Sequence, residues 1–226
     1  MMDEHKLELL VGSDLHNSRP GFEWFCQLAE LKRPQLIVFL GDFVNRQPLS
    51  FIKEVLASLR LLAPACFVVP GNWDPRETIF EIDAAAFDGL RNLHRYRAHL
   101  AGYSFAGLGG STTTPVSTTP LESPELGFAA PLAPQLPADV WLLHNPLYGW
   151  RDLAGGKVNV GSHELAKLYA AQEQPPLLVL SGHIHEAAGF EQHGATTFAN
   201  PGSLAARSAA RVTLMERSVS VGMLGE

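Results

Sequence analysis

Three short apolar runs in the first third of the chain predict buried strands. They are Leu7–Gly12, Leu36–Leu40 and Cys66–Val69, each rich in aliphatic or β-branched residues and bounded by small or polar ones. Two segments between them, Phe22–Leu31 and Pro48–Leu62, carry apolar residues at helical spacing. Strands that alternate with helices in this way predict parallel pairing with right-handed crossovers.

After Leu90 the pattern changes, and we expect shorter, antiparallel strands at Leu93–Tyr96 and Tyr103–Gly107. Further strands are predicted at Val140–Leu143, Leu177–Leu180, Gly189–Gln192, Thr196–Ala199 and Val212–Glu216, and a helix over Ser162–Gln172. The segment Gly109–Pro137 is rich in Ser, Thr and Pro, which predicts an extended surface loop with room for one short helix. Such a loop is either functional or a plain connection. No repeat or linker divides the sequence, so residues 1–226 are expected to form a single α/β domain.

Composition and charge narrow the classes of protein. With 46% hydrophobic and 18% charged residues the chain is not a disordered one. A net charge of −6 argues against a broad nucleic-acid surface. Asp3 and Glu4 do not suit a signal peptide, and no apolar run approaches the length of a membrane span. Cys26 and Cys66 are expected to be buried thiols, which favours a cytoplasmic location.

The predicted strands are followed by side chains that can bind metal ions. Asp14 and His16 follow the first strand, and residues two apart on an extended segment project to the same side. Four further strands precede Gly41-Asp42, Gly71-Asn72-Trp73-Asp74, His144 and Gly182-His183-Ile184-His185. Each of these motifs alone is a common turn. Five in succession indicate a shared site, because open α/β sheets bind ligands beyond the carboxyl ends of their strands.

These blocks, read as D-x-H, G-D, G-N-x-[DE], H and G-H-x-H, resemble those of the calcineurin-like metallophosphoesterases. Later segments resemble the Icc-related bacterial and archaeal branch, namely Gly107-Leu108-Gly109-Gly110-Ser111, Val160-Gly161-Ser162, Gly182–Glu186 and Asn200-Pro201-Gly202-Ser203. The resemblance spans residues 7 to about 204. It implies two mixed β-sheets packed as a sandwich flanked by helices, the four-layer αββα fold, and an enzyme that hydrolyses phosphate esters.

The resemblance also implies a dinuclear metal site. Its first ion would be held by Asp14, His16, Asp42 and His185, and its second by Asp42 as a bridge, Asn72, His144 and His183. Nitrogen and oxygen donors without thiolate suit Mn, Fe, Zn, Co or Ni, of which Mn is favoured. Two divalent ions outweigh the two ligand carboxylates, so the site would be cationic within an acidic protein. A bridging water of lowered pKa would supply the attacking hydroxide.

One position departs from the family's fuller pattern. Many active members have a histidine where this chain has Trp73, and an indole cannot carry a proton near neutral pH. We therefore expect a substrate with a good leaving group, a diester or an activated monoester. The catalytic residues are expected to be Asn72, Asp74 and His144, although Asp74 has lost its usual histidine partner. Asn72, Trp73, Arg46 and His163 are expected to bind substrate, with His163 or Lys157 as a replacement proton donor.

Other basic and aromatic residues leave alternatives open. Arg19 is a further candidate for phosphate contact, and the cluster of Trp150, Arg151 and Lys157 either lines a phosphate pocket or is a solvated loop. The expected partner is a small phosphate ester, with no membrane and no nucleic acid, and a repair-type nuclease fits less well. Because Trp73 replaces the histidine, the rival interpretation is a metal-binding scaffold similar to the phosphoesterase-fold subunit of the retromer coat.

Overall fold

The computed structural model describes residues 6–85, 89–113 and 119–225. This part of the chain has four α-helices, α1 (Arg19–Lys32), α2 (Leu49–Leu62), α3 (Thr78–Ala85) and α4 (His163–Ala170). Its strands are β1 (Lys6–Gly12), β2 (Leu36–Phe39), β3 (Ala65–Val68), β4 (Leu90–Asn92), β5 (Arg97–Leu100), β6 (Tyr103–Leu108), β7 (Ser111–Thr112), β8 (Glu122–Ser123), β9 (Val140–Leu143), β10 (Leu153–Ala154), β11 (Val158–Asn159), β12 (Leu178–Ser181), β13 (Gly189–His193), β14 (Thr196–Asn200), β15 (Ser208–Met215) and β16 (Ser218–Gly225).

Two six-stranded mixed sheets form the centre of the fold. The first has the order β16-β15-β1-β2-β3-β4, with β1 to β4 parallel and β15 antiparallel to both of its neighbours. The second has the order β13-β14-β12-β9-β6-β5, with a parallel centre and antiparallel edges. The predicted fold class of two mixed sheets is confirmed.

Three apolar clusters hold the layers together. Between the sheets, the Phe67 ring meets the Phe105 ring edge-on, with centroids 5.1 Å apart. On the outer face of the first sheet, Phe25 of α1 and Ile52 of α2 pack with Phe39. On the outer face of the second sheet, α4 and the long loop pack against a cluster that includes Trp141. The sheets therefore form a sandwich with helices on both outer faces. The interpretation of residues 1–226 as one domain stays a prediction.

Helix boundaries follow from local capping. α1 begins earlier than the apolar pattern indicates because the Ser18 side chain accepts a hydrogen bond from Gly21 N at 3.2 Å, which satisfies a free amide of the first turn. Ser162 caps α4 in the same way, accepting from Leu165 N at 3.1 Å. The predicted helix over Ser162–Gln172 is thus present as His163–Ala170.

The prediction for the stretch after Leu90 is wrong in two respects. The strand there is β4, not Leu93–Tyr96, and it runs parallel to β3 rather than antiparallel. The strand ends because the Asn92 side chain accepts from His94 N at 2.8 Å and Tyr96 N donates to Leu93 O at 3.1 Å, which turns the backbone. The apolar pattern also misses α3, β5 and β16.

The segment Gly109–Pro137 carries only short elements in its described part. They are the β7–β8 pair and one turn of 3-10 helix at Ala133–Gln135, as expected for an extended loop; residues 114–118 lie outside the described residues. Both cysteines are free thiols, Cys66 buried and Cys26 half-buried. Among the described residues, no helix combines the length and apolarity needed to cross a membrane.

Candidate metal centre

The parallel strands of both sheets direct their carboxyl ends toward one region. β1, β2 and β3 of the first sheet lead into Asp14, Asp42 and Asn72, and β9 and β12 of the second lead into His144 and the His183–His185 segment. Two groups of three side chains converge there. The first triad is Asp14, His16 and His185, and the second triad is Asp42, His144 and His183; the donor atoms within each lie within 4.8 Å of one another.

In the first triad, three donor atoms face one another at short distances. His185 Nε2 lies 3.2 Å from Asp14 Oδ1 and 3.2 Å from His16 Nε2. Asp14 Oδ1 is buried and accepts no hydrogen bond of acceptable geometry. The other oxygen of this carboxylate accepts from His183 N at 3.0 Å. A buried carboxylate oxygen that keeps its lone pairs beside two imidazole nitrogens suits a cation.

Asp42 lies between the two triads. Its Oδ2 is 3.7 Å from His16 Nε2 and 3.4 Å from His144 Nε2, whereas its Oδ1 accepts from Trp73 N at 2.8 Å. Asn72 Oδ1 lies 2.9 Å from His144 Nε2, and Asn72 Nδ2 donates to Thr119 Oγ1 at 2.9 Å, which fixes the orientation of the amide. One oxygen of Asp42 is therefore placed to bridge two ions, with the Asn72 carbonyl beside the second.

Left-handed backbone geometry is concentrated at these ligands. Asp14, His16, Asp42 and His183 have φ angles of +56°, +47°, +54° and +68°. Non-glycine residues rarely adopt this conformation, and each such residue costs on the order of 1–3 kcal/mol. Strain of this kind persists where the surrounding structure enforces it. Here it occurs at side chains that follow three strands, β1, β2 and β12.

Two glycines allow the ligand loops to pack closely. A Cβ at Gly71 would lie 2.0 Å from Asp42 Oδ1 and 2.2 Å from Asp42 N. A Cβ at Gly182 would lie 2.0 Å from Ser13 Oγ and 2.8 Å from Asp14 Oδ2. The glycines of the G-N and G-H-x-H motifs are thus required by the approach of the neighbouring loop.

Asp74 is directed toward the backbone rather than the open site. Its Oδ2 accepts from Gly71 N at 2.8 Å and Asp42 N at 3.0 Å, and its Oδ1 accepts from Val44 N at 3.2 Å. Burial and the neighbouring Asp42 charge raise the pKa of Asp74 to about 8, while the donors from Gly71 and Val44 oppose the rise. Bound cations would oppose it further. The hydrogen bonds that Asp74 accepts hold the loop of Asp42 against the loop of Asn72.

Before an ion binds, the histidines of the second triad carry opposite pKa shifts. Burial disfavours the charged form of His144, but the charge of Asp42 and its hydrogen bond raise the His144 pKa to about 9. Burial and the His144 charge lower the pKa of His183 to about 4. For Asp14, burial is outweighed by the close contact with His185 and the histidine charges, so its pKa falls well below the usual range. An ion that binds here displaces a proton from His144.

The donor set fits two divalent transition-metal ions. Each triad offers imidazole nitrogens and a carboxylate oxygen, and thiolates are absent from both. Asp42 of the second triad also lies 3.7 Å from His16 Nε2 of the first. The second nitrogen of two ligand histidines is already occupied. His144 Nδ1 lies 2.7 Å from Leu40 O, and His16 Nδ1 lies 2.6 Å from Asn45 Oδ1, as expected where the outer partner fixes the ring for metal binding.

Comparison with known proteins agrees with this geometry. The sequence profile of the calcineurin-like phosphoesterases matches residues 7–187. The chain belongs to the calcineurin-like phosphoesterase family. It is therefore classed as a hydrolase acting on phosphoester bonds. No curated protein sequence matches the chain significantly.

Solved structures share the phosphoesterase fold at low identity. The protein TT1561 of Thermus thermophilus is 23% identical, with a TM-score of 0.73, and the match covers 96% of this chain and 98% of that one. A dimetal phosphatase from Danio rerio is 13% identical, with a TM-score of 0.66, over 97% and 96% of the two chains. An archaeal phosphodiesterase is 15% identical, with a TM-score of 0.56, over 96% and 100%. At these identities the likeness concerns the fold.

Of the predicted substrate-binding residues of this phosphoesterase, Trp73 and Arg46 lie together beside the centre. The Arg46 guanidinium carbon is 5.4 Å from the centroid of the Trp73 ring, and Arg46 N donates to Trp73 O at 3.0 Å. The Trp73 side chain is half-buried and Arg46 is exposed. Because Trp73 N also binds the bridging Asp42, this pair is fixed to the metal-ligand loop.

The other predicted phosphate contacts are engaged with different partners. His163 is exposed at the start of α4 and stacks on Tyr148, with ring centroids 3.8 Å apart. Arg19 forms a two-pronged ion pair with Glu54 at 2.5 and 2.7 Å. Trp150 stacks on Phe198 at the third apolar cluster. Lys157 lies exposed in the β10–β11 turn, and Arg151 donates to backbone carbonyls. The cluster of Trp150, Arg151 and Lys157 therefore does not form one phosphate pocket among the described residues.

Asn45 and Thr119 contribute to the phosphoesterase site but carry no sequence motif. Asn45 orients His16, and Asn45 N in turn donates to Asn17 Oδ1 at 2.7 Å. Thr119 orients the Asn72 amide across 47 residues of chain. The only sequence signal for Asn45 is a polar residue three positions after Asp42. Thr119 lies in a Ser/Thr-rich loop that offers no reason to select it.

Proposed function

We propose that this phosphoesterase hydrolyses a small phosphate diester, or a monoester with a good leaving group, at a centre of two divalent metal ions. The observation that carries the proposal is Asp42 Oδ2, which lies within 3.7 Å of His16 Nε2 in one group and 3.4 Å of His144 Nε2 in the other. Two bound ions would supply a hydroxide nucleophile and neutralise the phosphoryl oxygens.

The chain's own residues would divide the remaining work. Asn72 and His144 would hold the second ion, as a carbonyl ligand and an imidazole ligand, next to the reacting phosphoryl group. Asp74 holds the loops of Asp42 and Asn72 through backbone amides, so we assign it a positioning rather than a catalytic role. Arg46 would contact the phosphate and Trp73 would form a wall against the ester group. His163, stacked on Tyr148, receives no role in this scheme.

The preference for a good leaving group follows from the presence of Trp73. The indole N–H donates but does not transfer a proton near neutral pH. Loss of a proton donor costs about 10²–10⁴-fold for a poor leaving group and little for a good one. The rate should therefore rise steeply as the leaving-group pKa falls.

We also propose Mn²⁺ as the first metal to test, because oxygen and nitrogen donors without thiolate accept it. The two free thiols, Cys26 and Cys66, agree with a reducing compartment such as the cytoplasm. The alternative function is a metal-binding scaffold. It is favoured by the presence of Trp73 at the position of the usual histidine. The complete set of metal-ligand positions favours the enzyme.

The test is hydrolysis of phenyl phosphodiesters of graded leaving-group pKa by the Mn²⁺-reconstituted protein. Asp42→Asn and His183→Ala should reduce kcat/KM at least 10³-fold, on the order expected for loss of a metal site, whereas His99→Ala, an exposed histidine on β5, should not. Hydrolysis that survives in the two site variants refutes the metal centre as the catalyst. Two bound ions without hydrolysis of any diester, monoester or cyclic nucleotide would establish the scaffold instead.

A further inference from the structure

Several histidine side chains lie within ion-pair distance of Asp14 or Asp42. His185 is the most exposed of them. Its side chain is 44% exposed, compared with 14% for His16 and 0% for His144. Burial by close packing therefore does less to fix the ring of His185 than that of the other two. A ligand that rotates freely loses entropy when it binds an ion, so an exposed ligand needs another restraint.

The restraint on the other two rings is a hydrogen bond at the far nitrogen. His144 Nδ1 contacts Leu40 O, and His16 Nδ1 contacts Asn45 Oδ1. For His185, the contacts seen among the described residues run through Nε2, to Asp14 and His16. An ion would lie between these atoms, so the backbone of His185 is the restraint that does not involve the metal-facing nitrogen.

That backbone is a short 3-10 turn, His185–Ala187, held by the β10–β11 hairpin. Arg151 donates from Nε and Nη2 to Ala187 O, at 3.0 and 2.6 Å, and from Nη2 to Ala188 O. On the other side, Glu186 Oε1 accepts from Gly155 N at 2.6 Å. A guanidinium that binds the carbonyls leaving a helical turn satisfies acceptors which that turn cannot. The arginine contacts fix the peptide groups at the end of the turn, and the Glu186 contact anchors the residue after His185.

The residues around Arg151 hold it in the position from which it contacts this turn. Arg151 has φ of +51°, a strained conformation for a non-glycine residue. The next residue, Asp152, is fully buried and accepts from Gly149 N at 3.0 Å and Gly161 N at 2.9 Å, which holds the base of the hairpin. Opposite, a Cβ at Gly189 would lie 2.7 Å from Arg151 Nη2, so glycine leaves room for the guanidinium.

We propose that Arg151 is a positioning residue for the metal ligand His185: by fixing the turn His185–Ala187 it sets the affinity of the first triad for its ion. The inference rests on the proposed function only in requiring that the centre binds metal. It does not depend on the substrate or on the rate of hydrolysis. Glu186 acts in the same direction through its single contact with the hairpin.

The experiment is calorimetric titration of the metal-free protein with Mn²⁺, repeated with Co²⁺ to follow its visible absorption. In Arg151→Ala, one of the two ions should bind about 10–100-fold more weakly, the usual effect of losing a residue that supports a metal ligand. The other ion should bind as in the wild type. Arg151→Lys, which keeps a donor for one carbonyl, should recover part of the loss. The matched control is Arg211→Ala on β15, an exposed arginine that binds Glu8 at 2.9 Å.

Thermal unfolding of the metal-free variants distinguishes positioning from general support. We expect Arg151→Ala to unfold at the same temperature as Arg211→Ala while losing affinity at one site. If Arg151→Ala binds both ions with wild-type affinity, the inference is refuted and the proposed function is not. The same holds if the affinities for both ions fall equally and the unfolding temperature is lower. If Arg151→Ala does not fold, Glu186→Ala decides by the same criteria. A wild-type chain that binds no ion refutes the proposed function as well.

Discussion

Acidification should destabilise this protein through His94, a buried histidine outside the metal centre. His94 Nδ1 accepts a hydrogen bond from Gly109 N at 2.9 Å, so the ring must be neutral at that nitrogen. Burial, together with the charge of Arg95, lowers the pKa of His94 from 6.5 to about 4. The loop that depends on this contact continues to Gly110, whose N donates to Pro70 O beside the Asn72 loop.

The sign and the size of this loss of stability follow from proton linkage at His94. Between pH 6.5 and 4 the unfolded chain binds a proton at His94 and the folded chain does not, so stability is lost as the pH falls through that window. At pH 5 the loss amounts to about 2 kcal/mol, and below pH 4 it levels off at about 3 kcal/mol, taking about 1.36 kcal/mol per pKa unit. This is a sizeable part of the ~5–15 kcal/mol by which domains are stable.

The assay is urea unfolding of the wild type and His94→Asn at pH 7.5 and pH 5. Asparagine places an oxygen near the Nδ1 position and does not titrate, so the other titrating groups cancel in the difference between the two proteins. The wild type's stability relative to the variant should fall by about 2 kcal/mol on going to pH 5. His99→Asn controls for losing a histidine from the neighbouring strand. A difference that stays constant with pH, or that grows in favour of the wild type, refutes the reasoning.

Three further predictions concern the centre. Gly182→Ala should displace the loop and reduce bound Mn²⁺ from two ions to at most one, since the new Cβ would lie 2.0 Å from Ser13 Oγ; full metal content would contradict this. Asp74→Asn should lower the free energy of unfolding by about 2 kcal/mol or more, because an amide replaces a carboxylate that accepts three backbone hydrogen bonds; unfolding in urea unchanged from wild type would be inconsistent with it. Arg46→Ala should raise KM about tenfold, the equivalent of one charged contact, while Arg19→Ala leaves kcat/KM unchanged; equal effects would mean that Arg46 does not contact substrate.

The positions of the metal ligands could be read from the sequence because two rules combine. Short apolar runs identify the strands, and the first polar residues after them lie at the carboxyl ends of parallel strands, where the sheet presents its ligands. Asp14, Asp42 and His144 are located by this reasoning without any contact information. Pairing of the strands brings such residues together: the structure places Asp14 in the first triad and Asp42 and His144 in the second.

The elements that the sequence did not reveal lack a clear apolar period. In α3 only Thr78 and Ile82 are buried, so eight residues give one core contact and no recognisable stripe. β16 alternates serine and glycine with apolar residues that are only partly buried, which resembles a loop. The roles of Asn45 and Arg151 depend on contacts 29 or more residues away along the chain, and no local pattern encodes such a pairing.

Each ion, when bound, would be held by residues from both sheets. The first joins Asp14 and His16, which follow β1, to His185, which follows β12; the second joins Asp42 to His144 and His183 in the same manner. Bound ions would thus cross-link the two layers at one end of the sandwich, and separation of the layers there would require metal release. Chelator-dependent loss of the ions would then control how fast the molecule unfolds, so its lifetime in the cell would follow the local supply of metal.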